Sequence, residues 1–318
     1  MTTTRTLRAA ALVGAAALLL AGCASGNPLE EPTDGSGSSE MMSDTIVVGS
    51  QAYYSNEIIA EIYAQALENA GFDVERQFNI GQRDAYIPAL ESGEVTLFPE
   101  YSGNLLQYFD PGTEVTTPDG VLLELFRKLP GDLSILNPSP AEDKDTVAVT
   151  SETAQRWNLT TIGDLAEHSA EVKFGGPSEF INRAEGLPGL KANYGLDIPR
   201  SNFVAISDGG GPATVRALAD GTVTAANIFS TSPAIEENDL VVLEDPKNNF
   251  LAANVIPLVS SQKKSDELKT VLDAVSAELT TEDLIRLNTE ASGNSGVNPD
   301  EAAANWVREH GFDQPVQP

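Results

Sequence analysis

Short apolar segments alternate with helical patterns along almost all of the chain from Thr45 onward, and this alternation limits the folds available to it. The predicted strands lie at 45–49, 74–78, 95–98, 133–136, 146–150, 172–174, 202–206, 222–228 and 240–243. The predicted helices lie at 58–67, 85–92, 118–128, 178–183, 187–194, 212–219, 268–279 and 299–310. Strands separated by helices are typical of mostly parallel sheets in an α/β fold. Two such sheets fit 318 residues better than one.

Acidic residues far outnumber basic residues in this chain. It has 19 Lys and Arg against 47 Asp and Glu, which gives a formal net charge of −28 at pH 7. A nucleic-acid-binding protein needs a basic surface to neutralise phosphates, so we expect no nucleic acid as partner. One cysteine and two histidines allow neither an intrachain disulfide nor a zinc site made of His and Cys alone. We therefore expect no metal and no cofactor.

The first 23 residues have the pattern of an export signal. Arg5 and Arg8 precede an apolar run at 9–21, which is shorter than the roughly 20 residues that a membrane-spanning helix needs. The run ends in Leu20-Ala-Gly-Cys23, which resembles the lipobox of bacterial lipoproteins, whose cysteine receives diacylglycerol. The alternative is a signal peptide with a chance cysteine. We predict an extracytoplasmic protein anchored to the outer face of the plasma membrane by a lipid on Cys23.

Residues 24–44 are rich in glycine, serine, proline and acidic residues, and few of them are apolar. Such a composition is typical of a flexible tether rather than of a folded segment. No later apolar run approaches the length of a membrane span, so we expect the body of the protein to be soluble.

The loops that follow the predicted strands are the natural place for a ligand, because open α/β sheets bind ligands at the carboxyl ends of their strands. These loops lie at 50–56, 99–104, 138–145, 175–183, 207–212 and 229–233. The glycine run 209–211 allows two interpretations, an anion-binding helix N-terminus or a tight strand-to-helix turn.

Known catalytic motifs are absent from the sequence. It contains no G-x-S-x-G elbow, no phosphate loop that ends in Gly-Lys-Ser/Thr, and no H-E-x-x-H motif. Carboxylates are so abundant that a pair of them would carry no information. We therefore predict that the protein is not an enzyme.

Three segments carry a more specific signal. They are IVVGS at 46–50 with the helical pattern that follows it to Gly71, ESGEVTLFPEYSG at 91–103, and FGGPSEFINRAEGLPGLK at 174–191. Together they resemble the substrate-binding proteins of ABC importers for glycine betaine, carnitine and choline, the osmoprotectant family. The resemblance runs in register from about Ile46 to Asn305.

This resemblance implies a two-lobed fold of the periplasmic-binding-protein type II, which closes about a hinge over a small zwitterionic ligand. Lobe 1 would comprise residues 45–144 and 250–318, and lobe 2 residues 145–249. The resemblance also implies a monomer that delivers its solute to the permease and ATPase subunits of an importer. In this family a box of aromatic rings holds the quaternary ammonium by cation–π attraction, and basic and hydroxyl side chains hold the carboxylate.

The family's binding residues are only partly kept. Tyr101 and Arg183 match a family tyrosine and a family arginine, and Phe229 takes the place of another aromatic residue. The departures are Gln51 for a lysine, Asn104 for a threonine, and Asp145 and Val215 for two tyrosines. Tyr53 and Tyr54 are candidates for replacement rings. We therefore predict that the ligand-binding residues are Gln51, Tyr53, Tyr54, Tyr101, Asn104, Asp145, Arg183 and Phe229.

Asp145 allows two interpretations. It either faces the cleft and accepts N–H groups from a ligand with more than a trimethylammonium head, or it is a solvated acid of the turn 142–145. We predict an importer subunit for a betaine-like, choline-like or carnitine-like solute. The alternatives are a sensory lipoprotein that feeds no transporter, and an importer subunit for another zwitterion such as ergothioneine or an amino acid.

Overall fold

The computed structural model describes residues 45–292 and 296–314, which belong to one unit built on two β-sheets. The predicted export signal, Cys23 and the predicted tether lie outside the described residues. In the described ranges, no helix combines the length and the apolar character that crossing a membrane requires.

Ten strands make up the two sheets. In chain order they are β1 (Ile46–Gly49), β2 (Val74–Gln77), β3 (Leu97–Tyr101), β4 (Leu133–Ile135), β5 (Asp145–Thr150), β6 (Phe174–Gly176), β7 (Phe203–Ala205), β8 (Ala225–Phe229), β9 (Leu240–Val242) and β10 (Val255–Ser260). The first sheet has the order β2-β1-β3-β10-β4, and the second has the order β7-β6-β8-β5-β9. The α/β class predicted from the sequence is confirmed.

The prediction of mostly parallel sheets is wrong, because the two sheets are mixed. β1 runs parallel to β2 and β3, and β6 runs parallel to β7 and β8. β10 and β5 are antiparallel to both of their neighbours. Each of these two strands follows a connector that leaves the other sheet, so no helical crossover within one sheet sets its direction.

The helices surround both sheets. They are α1 (Tyr54–Asn69), α2 (Arg83–Ser92), α3 (Ser102–Phe109), α4 (Pro118–Lys128), α5 (Ser151–Trp157), α6 (Ile162–Ala166), α7 (Leu187–Tyr194), α8 (Pro212–Ala219), α9 (Ala234–Glu237), α10 (Asp266–Glu278), α11 (Thr281–Ser292) and α12 (Pro299–Glu309). The predicted bounds of α4, α7 and α8 are confirmed. The helix predicted at 178–183 is a short 3-10 turn at Ser178–Ile181.

The sequence analysis missed β10 and the helices α3, α5, α6, α9 and α11. The strand predicted at 95–98 begins and ends later, and α3 follows it without a loop. Pro257 weakens the strand signal of β10, since proline donates no ladder hydrogen bond. In the sheet it stands opposite Pro99, so the two residues that lack an N–H fall on one rung.

Apolar side chains cover both faces of the first sheet. α1 is buried along most of its length and packs with α10, α11 and α12 on one face. α2, α3 and α4 pack on the other face against β3 and β10. The second sheet has its own two clusters of buried apolar side chains. Each sheet therefore has its own core.

Two connectors, 136–144 and 243–254, carry the chain from one sheet to the other, and they lie side by side. Glu142 and Asn254 form an antiparallel bridge. The N–H of Asp143 donates to the carbonyl of Ala253 at 3.1 Å. Backbone hydrogen bonds therefore join the two connectors just before the first residues of β5 and β10.

Candidate functional site

Side chains from both sheets meet around one small cavity of about 10 Å³, which we name the cleft site. The first sheet and its helices contribute Gln51, Tyr53, Arg83, Tyr101 and Asn104. The second sheet contributes Asp145, Arg183 and Phe229, and the first connector contributes Asp143. Apart from Asp143 and Asp145, these residues lie at or after the carboxyl ends of β1, β2, β3, β6 and β8. Asp145, at the start of β5, joins them because it stands opposite Phe229 in the antiparallel ladder.

Of the eight side chains predicted to bind ligand, all but Tyr54 line the cleft site. Tyr54 lines a different cavity of about 330 Å³, which is bounded by α8 and α9 and is also lined by Val215. Tyr54 is the first residue of α1 and Tyr53 precedes that helix. Successive residues at a helix start point about 100° apart, so neighbouring tyrosines face different cavities. Tyr54 therefore does not line the cleft site with the other seven predicted residues.

Three aromatic rings face the cleft site. The rings of Tyr53 and Phe229, from opposite sheets, have centroids 5.3 Å apart at an interplanar angle of 34°. Tyr101 is buried, and its hydroxyl accepts a hydrogen bond from Asn56 Nδ2 at 3.5 Å. Gly209 has φ of 64°, and a Cβ there would lie 3.3 Å from both Tyr53 and Phe229. Glycine at this position therefore lets the loop before α8 approach both rings, which favours the tight-turn interpretation of the glycine run.

Arg83 was missed by the sequence analysis. It is buried at the start of α2, and its Nε and Nη2 each donate to one carboxylate oxygen of Glu100 at 2.8 Å. Tyr86 Oη and the N–H of Tyr101 also donate to Glu100. Arg83 follows β2, so the rule that ligands bind after the carboxyl ends of strands extends to it as well.

Arg183 connects the two sheets. Its Nη2 donates to Glu179 Oε1 at 2.8 Å and to Gln82 Oε1, on the other side of the cleft, at 3.0 Å. Within the described residues its Nε and Nη1 donate to no side chain or carbonyl. Each of these nitrogens is free to donate to an anionic group in the cleft, but they lie on different edges of the guanidinium, so one carboxylate accepts from only one of them.

Asp145 faces the cleft and is only 2% exposed, so the interpretation as a solvated acid is wrong. Its Oδ2 accepts from Asn104 Nδ2 at 2.6 Å, and its Oδ1 accepts from Asn227 Nδ2 at 2.9 Å. The first of these bonds crosses the cleft, because Asn104 is on α3. Asp145 is thus held by two amide donors and has lone pairs left for a further donor.

Asp143, in the first connector, is a second buried acid that the sequence analysis missed. Its Oδ1 accepts from the N–H and the hydroxyl of Thr231 at 3.2 and 2.7 Å, and its Oδ2 accepts from Ser55 at 3.4 Å. Burial raises the pKa of Asp143 to about 6, although the Thr231 hydrogen bonds oppose that shift. The charge of Asp145 also raises this pKa. The only sequence feature that pointed to Asp143 is the acid-rich turn 142–145, which also contains Asp145.

The cleft site therefore combines aromatic faces, two arginines and two buried acids in one small space. This arrangement suits a solute that carries both charges, since rings attract a cation and guanidinium groups bind a carboxylate. In the described ranges, no group of three or more His, Cys, Asp or Glu side chains is placed to hold a metal ion.

Sequence comparison places the chain among known transport proteins. The model of the substrate-binding domain of ABC-type glycine betaine transport systems matches residues 44–309. The glycine betaine-binding protein YehZ of Escherichia coli is 26% identical over 278 residues, which is 84% of this chain and 91% of that protein. A Helicobacter pylori ergothioneine transport permease and binding protein, EgtU, is 26% identical over 250 residues. That match covers 76% of this chain but only 44% of EgtU.

Comparison with solved structures confirms the fold. A glycine betaine/carnitine/choline ABC transporter structure superposes with a TM-score of 0.65 at 23% identity, covering 85% of this chain and all of that chain. The family match spans nearly every described residue, including all those that line the cleft site. The chain belongs to the family of substrate-binding domains of ABC-type glycine betaine transport systems.

Proposed function

We propose that this protein is the solute-binding subunit of an ABC importer and binds a small zwitterionic or quaternary-amine solute in the cleft site. The solute class is that of betaine, choline and carnitine. The observation that carries the proposal is the meeting of three rings and two arginines, contributed by both sheets, around one cavity. The name of the Escherichia coli relative supports the same class of solute.

Six of the residues that line the cleft site have a direct role in this proposal. Tyr53, Tyr101 and Phe229 surround the ammonium group, where cation–π attraction contributes about 0.5–2 kcal/mol per ring. A free N–H of Arg183, on Nε or on Nη1, donates to the carboxylate, if the solute has one. Gln51 and Asn104 supply amide groups beside them.

Binding proceeds by hinge motion between two lobes, 45–144 with 250–318 and 145–249. A cavity of about 10 Å³ has room for about one water molecule, so a solute enters only after the two sheets move apart. The paired connectors are the hinge, since they are the segments where the chain crosses between the sheets. The permease and ATPase subunits receive the solute from the closed form, and the binding protein acts as a monomer without enzymatic activity.

Isothermal titration calorimetry tests the proposal. The probes are glycine betaine, choline and L-carnitine, with sucrose as a neutral control solute of no related chemistry. We expect saturable binding of at least one of the three amines and none of sucrose. Absence of binding for all three amines contradicts the proposed function.

We also propose that the protein is exported and anchored by a lipid on Cys23, with residues 24–44 as the tether. The support is the sequence alone: the single cysteine of the chain ends a run that resembles a lipobox. Cys23→Ala is expected to move the protein from the detergent phase to the aqueous phase in a phase-partitioning assay. Equal partitioning of the variant and the unmodified protein contradicts lipidation.

A further inference from the structure

A second cavity of about 180 Å³ adjoins the cleft site, and we name it the outer cavity. The two cavities share Arg83, Asn104 and Arg183 as a common wall. Further along, the outer cavity is lined by the acids Asp84, Glu179 and Glu185. The role proposed above for the cleft site leaves the outer cavity and these acids without a function.

The charges that line the outer cavity do not cancel. Arg83 is held by both carboxylate oxygens of Glu100, and Arg183 forms an ion pair with Glu179. Asp84 and Glu185 have no cation within ion-pair distance among the described residues. The outer cavity is therefore lined by three acids and two arginines, and two of the acids, Asp84 and Glu185, form no ion pair within the described residues.

Glu185 is the more informative of these acids, since it is only 4% exposed. Its backbone carbonyl accepts from Asn249 Nδ2 at 2.7 Å, but within the described chain no side chain and no other residue's N–H donates to its carboxylate. Burial raises the pKa of Glu185, and the charge of Arg183 opposes that shift. A buried carboxylate whose only donor is its own N–H is poorly satisfied, so a cation that enters the outer cavity gains a strong partner there.

We propose that the outer cavity binds a cationic N–H group at the far end of the same solute whose ammonium and carboxylate lie in the cleft site. This inference rests on the proposed function and narrows its solute class. The preferred solute is a betaine with a second, N–H-bearing cation, rather than a compact trimethylammonium zwitterion. Glu185 accepts from that cation inside the cavity, and Asp84 adds attraction at its exposed edge.

Two matched ligands test the inference. One is the Nα-trimethyl betaine of lysine, which ends in an ammonium group, and the other is the betaine of 2-aminoheptanoic acid, which ends in a methyl group. By calorimetry we expect the lysine betaine to bind about tenfold more tightly, as a charge-assisted hydrogen bond predicts. Equal affinity for the two ligands overturns the inference.

Three variants separate a local contact from general attraction to an acidic protein. Glu185→Gln keeps the shape of the side chain and is expected to remove most of the preference for the lysine betaine. Glu152→Gln, at an 87% exposed position on α5, is the control and is expected to keep the preference. Asp84→Asn, also exposed, is expected to lower it about threefold. If both Glu185→Gln and Asp84→Asn keep the full preference for the lysine betaine, the inference is overturned. If one of the two variants folds poorly, the preference of the other decides.

The same titrations distinguish failure of this inference from failure of the proposed function. If glycine betaine, choline or L-carnitine binds while the two long betaines bind equally, the inference is wrong and the proposed function stands. If none of these ligands binds, both are wrong.

Discussion

The two sides of the cleft site are held together in different ways. On the first-sheet side, the buried carboxylate of Glu100 is satisfied by donors from its own side, among them Arg83 and Tyr86. On the second-sheet side, the polar groups divide their hydrogen bonds between partners on their own side and partners across the cleft. Asp145 accepts from Asn104, and Arg183 donates to Gln82.

This difference indicates which side keeps its shape when the sheets separate. On the first-sheet side the cluster of Arg83, Tyr86 and Glu100 has its hydrogen bonds within itself, so that cluster remains preformed. The second-sheet side loses the Asn104 bond of Asp145, the Gln82 bond of Arg183 and the contact of Phe229 with Tyr53. A solute that binds groups on both sides of the cleft adds contacts that exist only when the sheets are together, so it stabilises the closed arrangement.

The largest effect is expected at Arg83, if the first-sheet side is preformed. Arg83→Ala leaves Glu100 buried without its cation, which typically costs about 3–5 kcal/mol of the free energy of unfolding. Chemical denaturation measures this loss. Arg76→Ala is the control, because Arg76 pairs with Glu61 and Glu68 at a position whose side chain is 32% exposed. A cost no larger than that of Arg76→Ala contradicts a preformed first-sheet side.

Arg183→Ala is expected to act on binding rather than on stability, since only Nη2 of Arg183 is engaged within the described chain. Affinity for a carboxylate solute such as glycine betaine should fall about tenfold or more, which corresponds to about 1.5–3 kcal/mol. Choline, which has no carboxylate, should be affected far less. Calorimetry with both solutes checks this, and equal losses for the two contradict the carboxylate role.

Asp143 contacts both sides through Ser55 and Thr231, and its pKa makes that contact depend on pH. Its folded-state pKa of about 6 lies above the ordinary value of 3.8. Its contribution to stability is therefore greatest below about pH 4 and is lost as the pH rises through 6. Asparagine at position 143 does not titrate. From pH 4 to pH 7 the free energy of unfolding of Asp143→Asn should therefore rise by on the order of 2 kcal/mol relative to that of the unmodified protein.

Denaturation curves for the two proteins at several pH values test this expectation. The difference in the free energy of unfolding between variant and unmodified protein should grow with pH over that interval. A difference that is flat, or that shrinks, contradicts a raised pKa at Asp143. Glu152→Gln serves as the control, since its acid is 87% exposed.

The smallest effect is expected from the ring that the second-sheet side contributes. Phe229→Leu keeps apolar contact with Tyr53 but removes one aromatic face, so affinity for a quaternary amine should fall about twofold to thirtyfold. Phe203→Leu, on β7 outside the cleft site, is the matched control and should leave affinity unchanged. Fluorescence or calorimetric titration with choline measures both. If the two variants bind alike, Phe229 is not part of a cation-binding cage.

Much of the cleft site could be predicted from the sequence, because loops at the carboxyl ends of strands converge in an α/β fold. Gln51, Tyr101, Arg183 and Phe229 follow or end predicted strands, and all four line one cavity. Arg83 begins a helix and carries no motif of its own, so its place after β2 is the only sequence feature that points to it. Its burial depends on Glu100, seventeen positions later, and sequence patterns contain no measure of that contact.

Neighbouring residues with similar chemistry mark another limit of sequence analysis. Tyr53 and Tyr54 are equal candidates by composition, yet one faces the cleft site and the other a separate cavity. Asp143 and Asp145 lie in one acid-rich turn that suggests solvent, yet both are buried. Only the positions of the surrounding helices and strands determine which face each side chain points toward.

The sequence by itself determined the local elements whose ends carry their own signals. α4 begins at Pro118 after the N-cap Thr117, α7 ends before the left-handed Gly195, and α8 begins at Pro212. Proline at the first helical position and glycine after the last act within one turn of chain, so no distant contact is needed. The tertiary structure alone decided the antiparallel directions of β5 and β10, the pairing of Pro99 with Pro257 and the burial of Arg83 against Glu100. Those features arise where segments far apart in the chain meet, and their free energy comes from contacts that no local pattern encodes.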